Sequence, residues 1–400
     1  GGVAGAGIAV GPILGGWATT ELSWRIVFAG EVVLVLVILA LTPRVHDAVL
    51  EGRRPKLDGI GTVLSATGVG LVVLATLQSS SWGWVQPKDS PVTPFGFSLT
   101  PWVIAAGALS LWGFVQWQRR REANGQDPLV HLSLLKIPPL RAGLIGLFSQ
   151  NLILMGAFFV IPLYLQLVLG LDALETGIKM LPVSILMFLA SAIGARLSTR
   201  FSVRGIVRSG LVTTMVGVLW LLATVDPELN ETGFAIAMGV LGVGMGLLAS
   251  QLGNVVQSSV DSSGRGEAGG LQYTGQQLGS SLGVALIGAI VISGLASVFI
   301  AQVQKDDRIN EHIASQVTVA VEPGIDFLSA AQVEAAAQDA GLDEATTAAL
   351  VEDYSVAQLQ ALKAGLLAAA LLALASLAFT RELPHDDPRA AKDEPRLATA

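Results

Sequence analysis

Apolar residues in this chain gather in long unbroken blocks separated by short polar connections. Ten blocks stand out, at residues 1–19, 24–42, 58–78, 101–118, 142–169, 176–197, 205–224, 233–253, 270–299 and 359–379. A bilayer core is crossed by roughly 20 apolar residues in a helix, because a helix satisfies its own backbone where water is absent. Each block therefore predicts a transmembrane helix. No competing run shows the strand alternation of a membrane β-barrel. The expected fold class is all-α, a polytopic helical membrane protein. Ile161-Pro162 and Leu181-Pro182 fall inside blocks, which membrane helices tolerate when neighbouring groups take up the freed carbonyls.

Composition supports the pattern: of 400 residues, 52% are hydrophobic and only 14% charged, too apolar for an ordinary soluble chain. Cysteine is absent, and His46, His131, His312 and His385 are scattered, so disulfides and metal sites have nothing to build on. No Gly-Lys-Ser/Thr phosphate loop occurs and Gly5-Ala6-Gly7 follows no strand, so neither an ATP-driven pump nor a bound cofactor is expected. Arg119-Arg120-Arg121 stands beside a span and reads as an anchor for anionic lipid rather than a nucleic-acid patch.

Basic residues crowd alternate connections. One side holds Arg44, Arg53, Arg54 and Lys56, then Arg119 to Arg121, Lys136 and Arg141, then Arg196, Arg200, Arg204 and Arg208, then Arg265, and finally Arg381, Arg389, Lys392 and Arg396. The other side has only Arg25, Lys88, Lys179, Lys305, Arg308 and Lys363. The positive-inside tendency places the first set, with Gly1 and the C-terminus, in the cytoplasm. A multi-pass protein of the inner membrane is expected.

The net charge of −7 conceals a local excess, because in residues 301–355 only Lys305 and Arg308 balance a run of acids from Asp306 to Asp353. Ser329 with Gln332, and Ser355 with Gln358, match helix-start capping boxes around Ala-rich sequence. The segment reads as a small helical cap outside the membrane, or as a solvated acidic spacer.

Polar residues inside spans are the candidate functional groups, since an ion in hydrocarbon costs roughly 3 kcal/mol or more unless a cavity or partner receives it. Glu31 lies among Val32, Val33 and Leu34, about 10 Å along its helix from Trp24. It is either a carboxyl that exchanges a proton or meets a cation, or a neutral acid bonded to a neighbouring helix. Gln150, Asn151, Tyr164 and Gln166 share one span; Gln251, Asn254 and Gln257 fall on one face of another; Gln272, Tyr273, Gln276 and Gln277 begin a third. They either line a cavity or bond helix to helix. A site near the midplane favours Gln150 and Gln166, with Asn254 on the amide stripe.

Gly7, Gly11, Pro12, Gly15 and Gly16, in Gly-Ile-Ala-Val-Gly-Pro-Ile-Leu-Gly-Gly, resemble the antiporter motif in the fifth helix of the major facilitator superfamily. Glycines one turn apart let a neighbouring backbone approach, and proline permits a bend; the plain alternative is generic helix packing, as for Gly239, Gly242, Gly244 and Gly246. Ser23-Trp24-Arg25-Ile26-Val27-Phe28, Leu57-Asp58-Gly59-Ile60-Gly61, Ile161 to Gln166 with Gly170, Gly177 and Leu181-Pro182, and Arg265-Gly266-Glu267-Ala268-Gly269-Gly270-Leu271 with Gln276 to Gly279 resemble later helices of its fourteen-span drug:proton antiporters. Gly194 to Arg200 takes the place of a cytoplasmic gate loop, for which Gly194, Arg200 and Arg204 are the candidates, although its acidic residue is missing. Relatives also carry Asn and Pro where this chain has Glu31 and Val33, so that helix is expected to be straighter.

The resemblance implies that the chain holds ten helices of fourteen, about four preceding Gly1. It assigns residues 1–42 to the end of an N-terminal six-helix bundle, 43–139 to two additional central helices with cytoplasmic linkers, and 140–380 to a C-terminal six-helix bundle interrupted by the acidic extracytoplasmic loop 301–355. Residues 381–400 are left as a disordered cytoplasmic tail. The implied activity is proton-coupled export of hydrophobic or cationic compounds by alternating access, by a monomer in contact with small substrate, protons and lipid. An endogenous lipid or metabolite as substrate, and a non-transporting sensor or scaffold, remain alternatives. A lipid-modifying enzyme would want Asp, His or Arg clustered at one interface, and the sequence has no such cluster.

Overall fold

The computed structural model describes residues 11, 14–44, 57–261, 264–321 and 327–384. Gly7, Pro12, most of the first predicted span, residues 45–56 and the tail from residue 385 lie outside the described residues. All described regular structure is helical, as the block pattern requires. The main helices are α1 (Trp24–Leu41), α2 (Gly59–Trp82), α3 (Thr100–Ala123), α4 (Pro138–Leu163), α5 (Ala173–Leu197), α6 (Val203–Thr224), α7 (Glu231–Ser258), α8 (Arg265–Val303), α9 (Glu311–Val321), α10 (Ala330–Asp339) and α11 (Glu344–Ser376). Among the described residues, eight helical stretches are long and apolar enough to cross a membrane. The predicted span 101–118 lies within α3, which is 24 residues long but is not one of the eight, since Trp and Gln dilute its apolar character.

Short polar side chains start the helices by taking up N–H groups that have no partner within the helix. Asp172 and Glu175 form a reciprocal capping box at α5. Ser202 accepts from Gly205 N at 3.2 Å at the start of α6, and Asn230 from Gly233 N at 2.9 Å at α7. Pro162 and Pro182 lie inside α4 and α5. Immediately after Pro162, Tyr164–Val168 widens to a π-turn, consistent with the loss of one backbone donor at proline.

Helices α2 and α3 form an antiparallel hairpin: the Ser110 hydroxyl donates to Leu64 O at 2.9 Å, and Gly68 and Gly107 face each other closely. Asp58 closes the hairpin at its open end. Its carboxylate accepts from Gly61 N at 2.9 Å, Trp117 Nε1 at 2.9 Å and Gln118 Nε2 at 2.7 Å, with Arg121 NH1 at 3.8 Å. Burial opposes its charge, but those donors and Arg121 outweigh burial and hold the carboxyl below its usual range.

Helices α4 to α8 and α11 pack as a six-helix bundle around a shared core, with α9 and α10 between α8 and α11. Lipid tails are as apolar as the helices themselves, so helix association in a bilayer rests on close van der Waals packing and hydrogen bonds. Small residues provide it here. Along α8, Gly279 and Gly283 lie so near α4 that a Cβ would sit 2.2 Å from Phe148 O and 2.3 Å from Leu152 O. The matching increments show that the two helices run parallel. Gly242 and Gly246 of α7 meet Val183 O and Met187 O of α5 in the same manner, at 2.3 and 2.4 Å. Gly244 turns to α6, where its Cβ would meet Thr214 and Gly210 O. Generic packing is thus the reading the structure supports for Gly242, Gly244 and Gly246. Helix α2 also packs on α8, attaching the hairpin to this bundle.

Helix α1 differs: none of its residues is buried. The acidic segment is helical, and Ser329 with Gln332 forms the expected capping box. Ser355 and Gln358 do not, because the last helix begins at Glu344 after Asp343. Ser355 is internal, its hydroxyl donating to Val351 O at 2.7 Å. Gln358 Nε2 donates to Leu328 O and Tyr354 OH accepts from Leu328 N at 2.8 Å, so both side chains tie the approach to α10 onto α11.

The seam between α4 and α8 gives a discriminating pair of substitutions. Gly279→Leu should destabilise the folded chain by roughly 1–3 kcal/mol, whereas Gly275→Ala should be near neutral, because a Cβ at Gly275 lies 3.6 Å from Leu144 O. Thermal unfolding in detergent checks both.

Candidate functional site

Four helices of the bundle leave an open cleft of about 920 Å³. Helix α4 supplies Leu147, Gln150, Asn151 and Leu154; α5 supplies Met187, Phe188 and Ser191; α7 supplies Ser250, Gly253, Asn254 and Gln257; α8 supplies Gln272 and Gln276. These positions lie toward the C-terminal ends of α5 and α7 and the N-terminal end of α8. The cleft therefore lies toward the end of the bundle that carries Arg196, Arg200, Arg204 and Arg265, while α9 and α10 cover the other end.

No ionisable side chain lines the cleft among the described residues. Its chemistry is that of neutral amides over an apolar wall. Gln150 is buried and donates to Met245 O at 3.3 Å, Asn151 donates to Leu147 O at 2.9 Å, and Gln257 donates to Gln272 at 3.3 Å. Asn254 is exposed along the wall. Such a surface offers donors and acceptors to a ligand with carbonyl or hydroxyl groups and gives aromatic or aliphatic surface a place to lie.

The structure brings Gln150 and Asn254 together in this cleft but separates Gln166 from it. Gln166 is exposed in the π-turn after α4, beside Phe158, Phe159 and Pro162 in a shallow groove. Sixteen positions of helix, at about 100° each, already put Gln166 on the face opposite Gln150. Tyr164 is buried and donates to Asp226 O at 2.8 Å, fixing the loop after α6. Gln251 is buried too, donating to Gly194 O at 2.8 Å. Glu31 is exposed along α1, away from the cleft-lining residues.

Of the glycine motif, Gly16 makes the close approach that glycine permits: a Cβ there would lie 2.6 Å from Ala173 O and 2.9 Å from Leu174 Cα at the start of α5. Among the described residues, nothing lies within 4 Å of a Cβ added at Gly11 or Gly15. The motif's described contact is thus a single point between the N-terminal segment and the bundle.

The three gate-loop candidates diverge. Gly194 lets Ser250 pack closely, its added Cβ falling 2.3 Å from the Ser250 hydroxyl. Arg200 is exposed. Arg204 turns to the C-terminal segment, donating from Nε to Leu383 O at 3.0 Å and from its backbone N to Pro384 O at 3.3 Å. Arg208 donates to Thr380 Oγ1 at 2.9 Å, and Arg141 Nε to Glu382 at 3.0 Å. Residues 381–384, expected to open a disordered tail, are instead held in place: Leu377–Glu382 is a 3₁₀ turn, clasped with its flank by three arginines, and the rest of the predicted tail lies outside the described residues. Sequence reasoning also missed the link from His131 Nδ1 to Glu267 at 2.8 Å, which joins the segment after α3 to α8. The Glu in Arg265-Gly266-Glu267 was the available signal, but nothing local identified a partner 136 positions away.

The model of the Major Facilitator Superfamily matches residues 1–284, which include the N-terminal glycine segment, the hairpin and the helices of the amide cleft. This chain belongs to the major facilitator superfamily. The tetracenomycin C resistance and export protein of Streptomyces glaucescens is 28% identical over 303 residues, covering 74% of this chain and 53% of that protein. A probable actinorhodin transporter of Streptomyces coelicolor is 30% identical, covering 73% and 50%. The multidrug efflux pump LfrA of Mycolicibacterium smegmatis is 30% identical, covering 71% and 53%. The chain spans about half the length of the curated relatives it matches. This major facilitator chain is a multi-pass membrane protein.

The arginine clasp is open to direct test. Arg204→Gln should free the segment around Arg381 and speed tryptic cleavage there about fivefold, the effect of roughly 1 kcal/mol on local opening. Mass spectrometry of timed digests measures it, with Arg200→Gln as the unchanged comparison.

Proposed function

We propose that this major facilitator chain takes part in proton-driven export of small molecules across the cytoplasmic membrane by alternating access. The observation that carries the reading is the amide-lined cleft in a bundle whose relatives are named for export and resistance. The cleft opens toward the end rich in arginine, which the positive-inside tendency assigns to the cytoplasm. On that orientation it faces the compartment from which an exporter collects its substrate, and the acidic cap faces outward.

The lining favours hydrophobic compounds that carry hydrogen-bonding groups. A cationic substrate would need a carboxylate from elsewhere, and Glu31 is the candidate within the spans. The same residue is our candidate for the proton. Its exposure on α1, a helix with no buried residue, leaves it available to a partner helix or a water-filled passage. We assign residues 1–42 to one bundle and residues 140–380 to the other, with 43–139 as an added hairpin docked on α8. Gly16 against Ala173 is the contact that would separate if the two parts moved relative to each other.

Everted membrane vesicles from cells expressing the native gene provide the test. Accumulation of a fluorescent hydrophobic dye should follow energisation and collapse when an uncoupler is added. Glu31→Gln should reduce this uptake about tenfold, in line with loss of a coupled proton site, while Gln150→Ala should change the ranking of dyes. Uptake that survives the uncoupler, or Glu31→Gln with unchanged rate and pH profile, would remove proton coupling through Glu31.

A further inference from the structure

We propose that the groove between α10 and α11 binds a linear polyamine. This groove is separate from the amide cleft, lies beyond the residues that the family model matches, and does not depend on the transport reading. It has a volume of about 680 Å³ and is lined by Glu334, Gln338 and Leu342 on one side and by Glu344, Thr347, Ala348, Val351 and Glu352 on the other. That volume lies within the range of small-molecule sites.

The ligand class follows from how the charges are spread. Glu344 and Glu352 are separated by eight positions on one helix, about 12 Å along its axis, and Glu334 faces them from α10. Among the described residues no three acidic or histidine groups converge to hold a metal ion. A point charge is therefore poorly served. A ligand with several charges spaced along a chain is well served, because each ammonium can meet a different carboxylate while its methylenes lie on Leu342, Ala348 and Val351.

The neighbouring base takes up one of the three groove carboxylates, Glu352, and leaves the other two. Arg308 is engaged by Asp306 at 2.7 Å and by Glu352 at 2.8 Å, leaving Glu334 and Glu344 without an ion pair among the described residues. Among the described residues Glu334 receives only the Gln338 amide, at 3.3 Å. Thr347 is a second, independent indication of a ligand. It lies on the groove-forming face of α11, is 4% exposed, and its Oγ1 has no hydrogen-bond partner among the described residues. An ammonium group at that point would donate to the hydroxyl oxygen. The acidic excess of residues 301–355 adds a longer-range attraction for a polycation.

The test is calorimetric titration of spermidine into the full chain in nanodiscs of zwitterionic lipid. Saturable one-to-one binding is expected, weakened about tenfold by the pair Glu334→Gln and Glu344→Gln and about threefold by Thr347→Val, with thermal unfolding unchanged. All three changes leave the packing of α10 on α11 in place. Asp307→Asn with Glu311→Gln removes equal charge elsewhere on the cap and should leave affinity unchanged. Absence of saturable binding, equal weakening by both charge pairs, or displacement of spermidine by magnesium chloride beyond that produced by sodium chloride of equal ionic strength would overturn the proposal.

Discussion

Helices in lipid gain little from hiding apolar surface from one another, since the surrounding tails are equally apolar. What holds this bundle is the closeness of backbone to backbone where side chains are missing. The Gly279 and Gly283 seam on α4, and the Gly242 and Gly246 seam on α5, place carbonyl oxygens where a Cβ would clash. The same constraint explains why the two seams join parallel helices in register: equal steps of four residues keep small positions on one face of each rod.

The cleft follows from where those seams stop. Along α7 the small series runs from Gly242 and Gly246 to Ser250, and the amides of Asn254 and Gln257 come next on the cleft side. Along α8, Gln272 and Gln276 precede the glycine seam. Close packing gives way to polar side chains near one end of the bundle, and the helices part around them. Polar groups elsewhere are consumed structurally: Gln251 by Gly194, Tyr164 by Asp226, and Asp58 by its hairpin.

The helical architecture was legible because each span announces itself in composition, and Pro138 to Leu197 and Val203 to Ser258 differ from expectation mainly at their ends. The start of the last helix was misplaced because Ser355 and Gln358 have the spacing of a cap, while Asp343 has the position of one and a less distinctive partner pattern. Depth along the span, which favours Gln150 and Gln166 alike, does not separate them, although sixteen positions of helix put the two on opposite faces. Gln150 and Asn254 were read as cavity candidates because an amide in an apolar span points away from lipid. The arginine clasp and the Asp58 cluster depend on contacts between residues 59 to 241 positions apart, which periodicity does not encode. Charge distribution marks out the acidic segment but not its groove, which depends on how α10 lies along α11.

The bundle has two unlike ends: an amide cleft toward the arginines and an acidic cap away from them. Because the chain has no cysteine, single-cysteine labelling with a membrane-impermeant maleimide measures this directly. In intact cells, Gln338→Cys should react at once and Asn254→Cys only after the membrane is permeabilised. Reaction of Asn254→Cys in intact cells, with Gln338→Cys protected, would mean that the amide cleft opens outward and the acidic cap lies in the cytoplasm.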